Sequence, residues 1–305
     1  MILTVTLNTA LDLTYRVRSL RPHASHRVSE VIERPGGKGV NVGRVLAALG
    51  HEVTVTGFAG GGTGAAVREG LAKAAGLADA LVPVAGATRR TIAVVDEHSG
   101  DTTQLNEPGP QIAPAEWAAF LDRYAELLSG ASAVALCGSL PPGVPVGAYA
   151  GLIRTARSLG VPVLLDTSGE PLRRGVAARP DIIKPNADEL AELTGSHDPL
   201  RATESARRRG AHTVIASLGP NGLLASTPEG RWRVIPPAHE HGNPTGAGDS
   251  AAAGLLSGLL DQLPWPDRLT RAVALSVATV RSPTAGDFDR AVYERLLARL
   301  SVTTA

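Results

Sequence analysis

The 305-residue chain has one cysteine, Cys137. A single thiol excludes an internal disulfide and leads to the expectation of a reducing, cytoplasmic setting. No apolar run reaches the length needed to cross a bilayer. The first residues, MILTVTLNTALD, lack the basic start and long apolar stretch of an export signal and read as a strand, so no membrane partner is expected. An excess of one charge is missing as well. Thirty Lys and Arg stand against 29 Asp and Glu, a formal net charge of +1, which leaves no broad basic face for nucleic acid. Lysine is scarce: of those 30 basic residues only Lys38, Lys73 and Lys184 are lysines. The eight histidines include no His-x-x-x-His pair and there is no cysteine cluster, so no transition-metal site is expected. Repeats, low-complexity tracts and disordered linkers are also lacking.

What is present is ordinary for a globular chain, with 43% hydrophobic and 19% charged residues. The length is enough for one large domain over 1–305. Short aliphatic runs predict strands at 2–8, 52–59, 133–138, 162–167, 181–186 and 213–219. Amphipathic stretches between them predict helices at 39–50, 114–130, 147–160 and 187–195, and the tail from 248 reads as mostly helical. Continuous apolar strands alternating with helices imply an α/β fold with a parallel sheet covered on both faces. Two segments, 13–35 and 89–107, instead alternate apolar and polar residues like antiparallel strands with one wet face. They predict a small inserted sheet, a lid over the strand ends.

Ligands of open α/β sheets bind at the carboxyl ends of the strands, and polar clusters fall at five of those ends. TLNTALD carries Asn8 and Asp12, CGSLPPG carries Gly138 and Ser139, and DTSG carries Asp166. KPNADE carries Lys184, Asn186 and Glu189, and SLGPNG carries Ser217, Gly219 and Gly222. Each alone reads more readily as a strand-end turn; five together describe a polar rim. RPGGKGVNVGRVL adds Gly36 and Gly37 for a tight turn, with Lys38 and Asn41 as polar heads, but has the spacing of neither a Walker loop nor a G-x-G-x-x-G dinucleotide turn. NPTGAGDSAAAG, residues 243–254, places Gly246, Ala247, Gly248 and Asp249 at a helix start. One reading is a turn followed by an acidic residue that offsets the helix dipole. The other is an anion held on free amides beside a carboxylate base, as phosphoryl transfer requires.

In this order, GGKGVNVGRVLAALG, KPNADEL and NPTGAGDSAAAG resemble the motifs of the ribokinase-like (PfkB) carbohydrate kinase family over nearly the whole chain. The resemblance implies a three-layer sandwich with a mostly parallel central sheet, a small β lid that often forms a dimer contact, and ATP and Mg2+ as cofactors. Carried over by position, Asp249 is the general base, and Gly246, Ala247 and Gly248 form the anion hole. Asn186 and Glu189 organise magnesium, through water. Lys184, Asn186, Ser217, Gly219 and Gly222 lie on the nucleotide side, with His239 and His241 as solvent-exposed or adenine-flanking residues. Asp12, Gly37, Lys38 and Asn41 lie on the sugar side, and Arg27, Arg89 and Ser139 hold a phosphate already on the substrate. Asn243 in place of the usual Asp, and the pairing of Arg27 with Arg89, resemble the 1-phosphofructokinase and tagatose-6-phosphate kinase branch; Thr9, where proline is common, departs from it. The implied reaction is fructose 1-phosphate to fructose 1,6-bisphosphate. The alternatives are a 6-phosphofructokinase or tagatose-6-phosphate kinase, or a non-catalytic sugar-phosphate sensor.

Overall fold

The computed structural model describes residues 1–237, 240 and 242–305. Its first half runs β1 (Ile2–Thr6), β2 (Ala10–Val17), β3 (Glu30–Gly36), α1 (Lys38–Ala48), β4 (Val53–Ala59), α2 (Gly61–Ala72), β5 (Leu77–Asp79), β6 (Val82–Pro83), β7 (Arg89–Asp96), β8 (Thr102–Asn106) and α3 (Pro114–Leu128). Next come β9 (Ala133–Cys137), α4 (Ala148–Ser158), β10 (Val163–Asp166), α5 (Gly169–Ala177), β11 (Ile182–Ile183), α6 (Ala187–Thr194), α7 (Pro199–Arg208) and β12 (Thr213–Ser217). The chain closes with β13 (Leu223–Ser226), β14 (Arg231–Val234), α8 (Ala247–Leu260), α9 (Trp265–Val280), α10 (Arg290–Leu297) and β15 (Val302–Thr304).

The large sheet has the order β15-β14-β13-β12-β11-β10-β9-β1-β4-β5, with β6 paired to β4. From β12 to β5 the pairs are parallel. Residues of β1, β4, β9 and β10 are buried on both faces, in keeping with sequences whose polar members are mostly the small, β-branched Thr4, Thr6, Thr54 and Thr56. One face packs on α1, α8, α9 and α10 through Val45, Leu46, Leu255 and Leu269. The other packs on α3 to α7 through Phe120, Tyr149, Leu172 and Leu190. These are the three layers expected. Helix starts follow local chemistry: Asp198 and Asp289 accept amide hydrogens of α7 and α10, from Arg201 N and Val292 N. Cys137 is fully buried and its thiol is pushed well above its usual range by that burial, which suits a filler role.

Two features differ from expectation. The edge β13–β14–β15 is antiparallel, so the helical tail ends in a strand paired to β14. The small sheet, ordered β3-β2-β7-β8, is mixed. Each inserted segment is an antiparallel hairpin, but β2 and β7 rise from the body in the same direction and pair in parallel, Ala10 beside Arg89.

Candidate active site

The lid covers a cavity of about 1330 Å³ at the carboxyl ends of the parallel strands. Thr6 and Asn8 reach it from β1, Gly138 and Ser139 from β9, and Asp166 and Thr167 from β10. Lys184 and Asn186 reach it from β11, and Ser217 from β12. Asp12, Arg89, Gln104 and Glu107 close it from the lid side. The lid is tied to the body by Gln104 Nε2, which donates to Thr245 Oγ1 (3.0 Å), and by Arg34 on β3, which meets Thr284 and Asp287.

Asp249 lies in the first turn of α8 with 6% of its surface exposed, and Asn41 Nδ2 donates to its Oδ2 at 2.8 Å. Gly246 precedes the helix at φ 84°, a conformation that favours glycine. Asn243 Oδ1 accepts from Thr245 N (3.0 Å), a turn-forming bond that an aspartate would make equally well. The Ala247 N–H is given to Pro244 O (3.1 Å). Among the described residues, the amides left without a backbone acceptor at this helix start are those of Gly246, Gly248 and Asp249, so the Gly-Ala-Gly run is interrupted at Ala247 alone. A Cβ on Gly248 would stand 3.4 Å from Lys184 Nζ, so an ammonium faces the same spot.

Burial raises the Asp249 carboxyl to about 6, against the pull of Lys38 and with a push from Asp166. Burial likewise raises Asp12 to about 6, opposed by Arg89 and a hydrogen bond to Thr91 and reinforced by Asp249. A Cβ on Gly36 would lie 2.0 Å from Asp12 Cγ, so glycine there gives that carboxylate its room. If Asp249 acts as a base, activity should rise as pH increases through about 6. A buried carboxyl raised from 3.8 also binds its proton more tightly in the folded than in the unfolded state, so its contribution to stability is lost as pH rises through that window. Asp249→Asn should therefore be the more stable protein at pH 8, by on the order of 2–3 kcal/mol. That advantage should vanish near pH 4, and thermal unfolding at both pH values checks it.

Two of the three lysines converge on one carboxylate. Asp166, 1% exposed, has Lys38 Nζ 3.2 Å from Oδ1 and Lys184 Nζ 3.2 Å from Oδ2. Burial opposes the charge on Asp166, but Lys184 and Lys38 together outweigh it and hold its carboxyl below the usual range. The charge of Asp166 in turn raises Lys38. The sequence marked Asp166 as a strand-end residue without giving it a partner. Its signal was the scarcity of lysine.

Arg89 and Ser139 meet through Asn8. Arg89 Nε donates to Asn8 O (3.1 Å), and Asn8 Nδ2 donates to Ser139 Oγ (3.0 Å). Asp12, Gly37, Lys38, Asn41, Arg89, Ser139, Lys184, Asn186, Glu189, Ser217, Gly246, Gly248 and Asp249 all line the cavity. Arg27 does not. It is exposed on the loop between β2 and β3, beyond the Arg16–Glu30 pair that ends that hairpin, whereas Arg89 pairs with Ala10 at the start of β2. Gly219 and Gly222 do not line it either: they shape the turn from β12 to β13, where a Cβ on Gly222 would collide with Val234 O at 1.9 Å. His239 and His241 lie outside the described residues.

Asn186 and Glu189 have a structural duty. Asn186 Oδ1 accepts from Glu189 N and Glu189 Oε2 accepts from Asn186 N, both at 2.9 Å, a reciprocal cap on α6. Among the described residues no group of three or more His, Cys, Asp or Glu side chains could hold a metal ion. The second carboxylate oxygen of Glu189 has no hydrogen bond among those residues. Magnesium keeps most of its waters and leans on one or two carboxylates plus substrate phosphates, so this donor set fits a water-mediated site.

The family model for pfkB family carbohydrate kinases matches residues 4–290. The chain belongs to the pfkB family of carbohydrate kinases. Membership makes it an ATP-dependent sugar kinase. Phosphofructokinase-2 from Escherichia coli in complex with fructose-6-phosphate is 30% identical and superposes with a TM-score of 0.89, covering 97% of this chain and 98% of that one. A Thermotoga maritima protein described as a possible 1-phosphofructokinase is 28% identical with a TM-score of 0.89, covering 100% and 99%. The large sheet with its mixed lid is thus the pfkB, ribokinase-like fold.

Proposed function

We propose that this pfkB kinase is a magnesium-dependent phosphohexose kinase, with residues 1–305 forming one kinase domain that transfers the γ-phosphoryl of ATP to the 6-hydroxyl of fructose 1-phosphate. The observation that carries the reading is the meeting of Arg89 and Ser139 at Asn8, in one cavity with the buried Asp249. A guanidinium and a hydroxyl together suit a phosphate already on the sugar, whereas an unphosphorylated sugar offers them only neutral hydroxyl acceptors.

In this reading Asp249 accepts the proton of the attacking hydroxyl while Asn41 steadies its other side. The amides of Gly246, Gly248 and Asp249, with Lys184 beside them, receive the charge of the transferred group. Lys38, paired with Asp166 in the same cavity, neutralises further charge. Asp12 accepts hydrogen bonds from sugar hydroxyls. Ser217 borders the nucleotide. Asn186 and Glu189 would hold magnesium through water, and its charge would offset that of the donor phosphates. Glu189→Gln keeps an oxygen to cap α6 but loses the charge. It should raise the magnesium concentration for half-maximal rate by about tenfold. An unchanged magnesium titration would place the metal elsewhere.

Likeness to the fructose-6-phosphate complex of the E. coli enzyme supports a second reading, a 6-phosphofructokinase with the sugar bound the other way round. A tagatose-6-phosphate kinase would use the same groups. The lid exposes Val28, Val31 and Leu105, and an E. coli phosphofructokinase-2 structure is tetrameric; both support self-association through the lid. A reducing cytoplasm suits the single buried thiol. Thermal-shift titration with ATP and sugar phosphates, followed by ADP release, separates enzyme from sensor: binding without ADP release would leave only the sensor.

A further inference from the structure

Asn8, two residues beyond β1, is buried at 6% exposure in the cavity wall. Its Nδ2 donates to Pro108 O (3.1 Å) and to Ser139 Oγ (3.0 Å), while its own carbonyl accepts from Arg89 Nε (3.1 Å). One residue thereby joins the exit of the second lid segment, the loop after β9 and the first residue of β7. The orientation of the amide follows from its partners. A proline carbonyl can only accept, so the amine must face Pro108, and its second hydrogen is left for Ser139. The Ser139 hydroxyl is then an acceptor toward Asn8 and keeps its own proton for something else. Among the described residues no acceptor takes that proton, and Ser139 opens on the cavity.

A second observation concerns the other end of the amide. Asn8 Oδ1 is buried with no hydrogen-bond partner, an arrangement that is unfavourable for stability and that an aliphatic side chain would avoid. The amine's two bonds are what an aliphatic side chain could not supply. We propose that Asn8 is a positioning residue whose side chain turns the Ser139 hydroxyl into a hydrogen-bond donor toward the phosphate already on the sugar. The inference rests on the phosphohexose reading above. It makes Asn8 a determinant of the preference for phosphorylated over free sugar, acting through Ser139 without touching the substrate.

The test compares kcat/KM for fructose 1-phosphate and for fructose, in the wild type, Asn8→Asp, Asn8→Ala, Ser139→Ala and the Asn8→Ala/Ser139→Ala double variant. Asn8→Asp keeps the shape but replaces the donor by an acceptor that draws the Ser139 proton back. It should lower the phosphorylated-to-free ratio about tenfold, chiefly through KM for the phosphosugar, with KM for ATP changed by less than about twofold. Asn8→Ala should lower the ratio when Ser139 is present and by less than about threefold more when Ser139 is already alanine. Equal losses in both backgrounds, or a ratio that neither Asn8 variant moves, would overturn the role of Asn8. If Asn8→Ala does not fold, Asn8→Asp alone decides. A wild type that uses fructose as well as its phosphate refutes the phosphohexose reading itself. A selective wild type with unmoved variants refutes only Asn8.

Discussion

Asp249→Asn should lower kcat by roughly 10²–10⁴ while leaving the fold and nucleotide binding intact, the usual worth of a positioned proton acceptor. The amide preserves the shape of the side chain, and its oxygen can still accept from Asn41 Nδ2, so the helix start and its free amides stay in place. What disappears is a group whose carboxyl sits near 6 because it is buried, and which is therefore ionised yet still basic at neutral pH. The same substitution should stabilise the protein at high pH, so a loss of rate could not be blamed on unfolding. Single-turnover rates with saturating ATP give the cleanest comparison. A variant keeping more than half of wild-type turnover would remove Asp249 from the proton-transfer step.

Arg89→Ala should reduce kcat/KM for a phosphohexose by roughly 10- to 100-fold, since a charge-assisted hydrogen bond contributes about 1.5–3 kcal/mol. Arg89 has its Nε on Asn8 O and its Nη1 near Thr91 Oγ1 and Glu107 O, so the guanidinium is held before any ligand arrives. Removing it also takes a cation away from Asp12, whose carboxyl should then rise further. The informative quantity is the difference between phosphorylated and free sugar, because damage to the lid lowers both alike. An equal loss for both substrates would take Arg89 out of the phosphate site.

The layers and the cavity were legible because both rest on local patterns. Mostly apolar, β-branched runs alternating with amphipathic helices point to a parallel sheet covered on both faces, and polar residues just past such strands gather at one end of it. The lid showed as alternation. Its mixed pairing did not, because alternation reports a wet face and says nothing of which neighbour a strand takes. The antiparallel edge was missed for a related reason: LLAS, RWRV and VTT are too short to show a period. Asn186 and Glu189 illustrate a deeper ambiguity. Asn-x-x-Glu at a helix start is the pattern of a reciprocal cap as much as of a metal motif, and here the cap bonds are made. The clamp on Asp166 joins Lys38 and Lys184 from distant strand ends, which no spacing could reveal. Arg27 was paired with Arg89 by resemblance, and within one chain it lies on the exposed β2–β3 loop and does not line the cavity.

The substrate decides between the remaining readings most directly. ADP release would be measured across one panel at fixed ATP and magnesium: fructose 1-phosphate, fructose 6-phosphate, tagatose 6-phosphate, fructose and ribose. The expected result is kcat/KM highest for fructose 1-phosphate, with the other two phosphohexoses next and the free sugars far behind. Free fructose or ribose outranking every phosphohexose would contradict a kinase built around a phosphate held by Arg89 and Ser139.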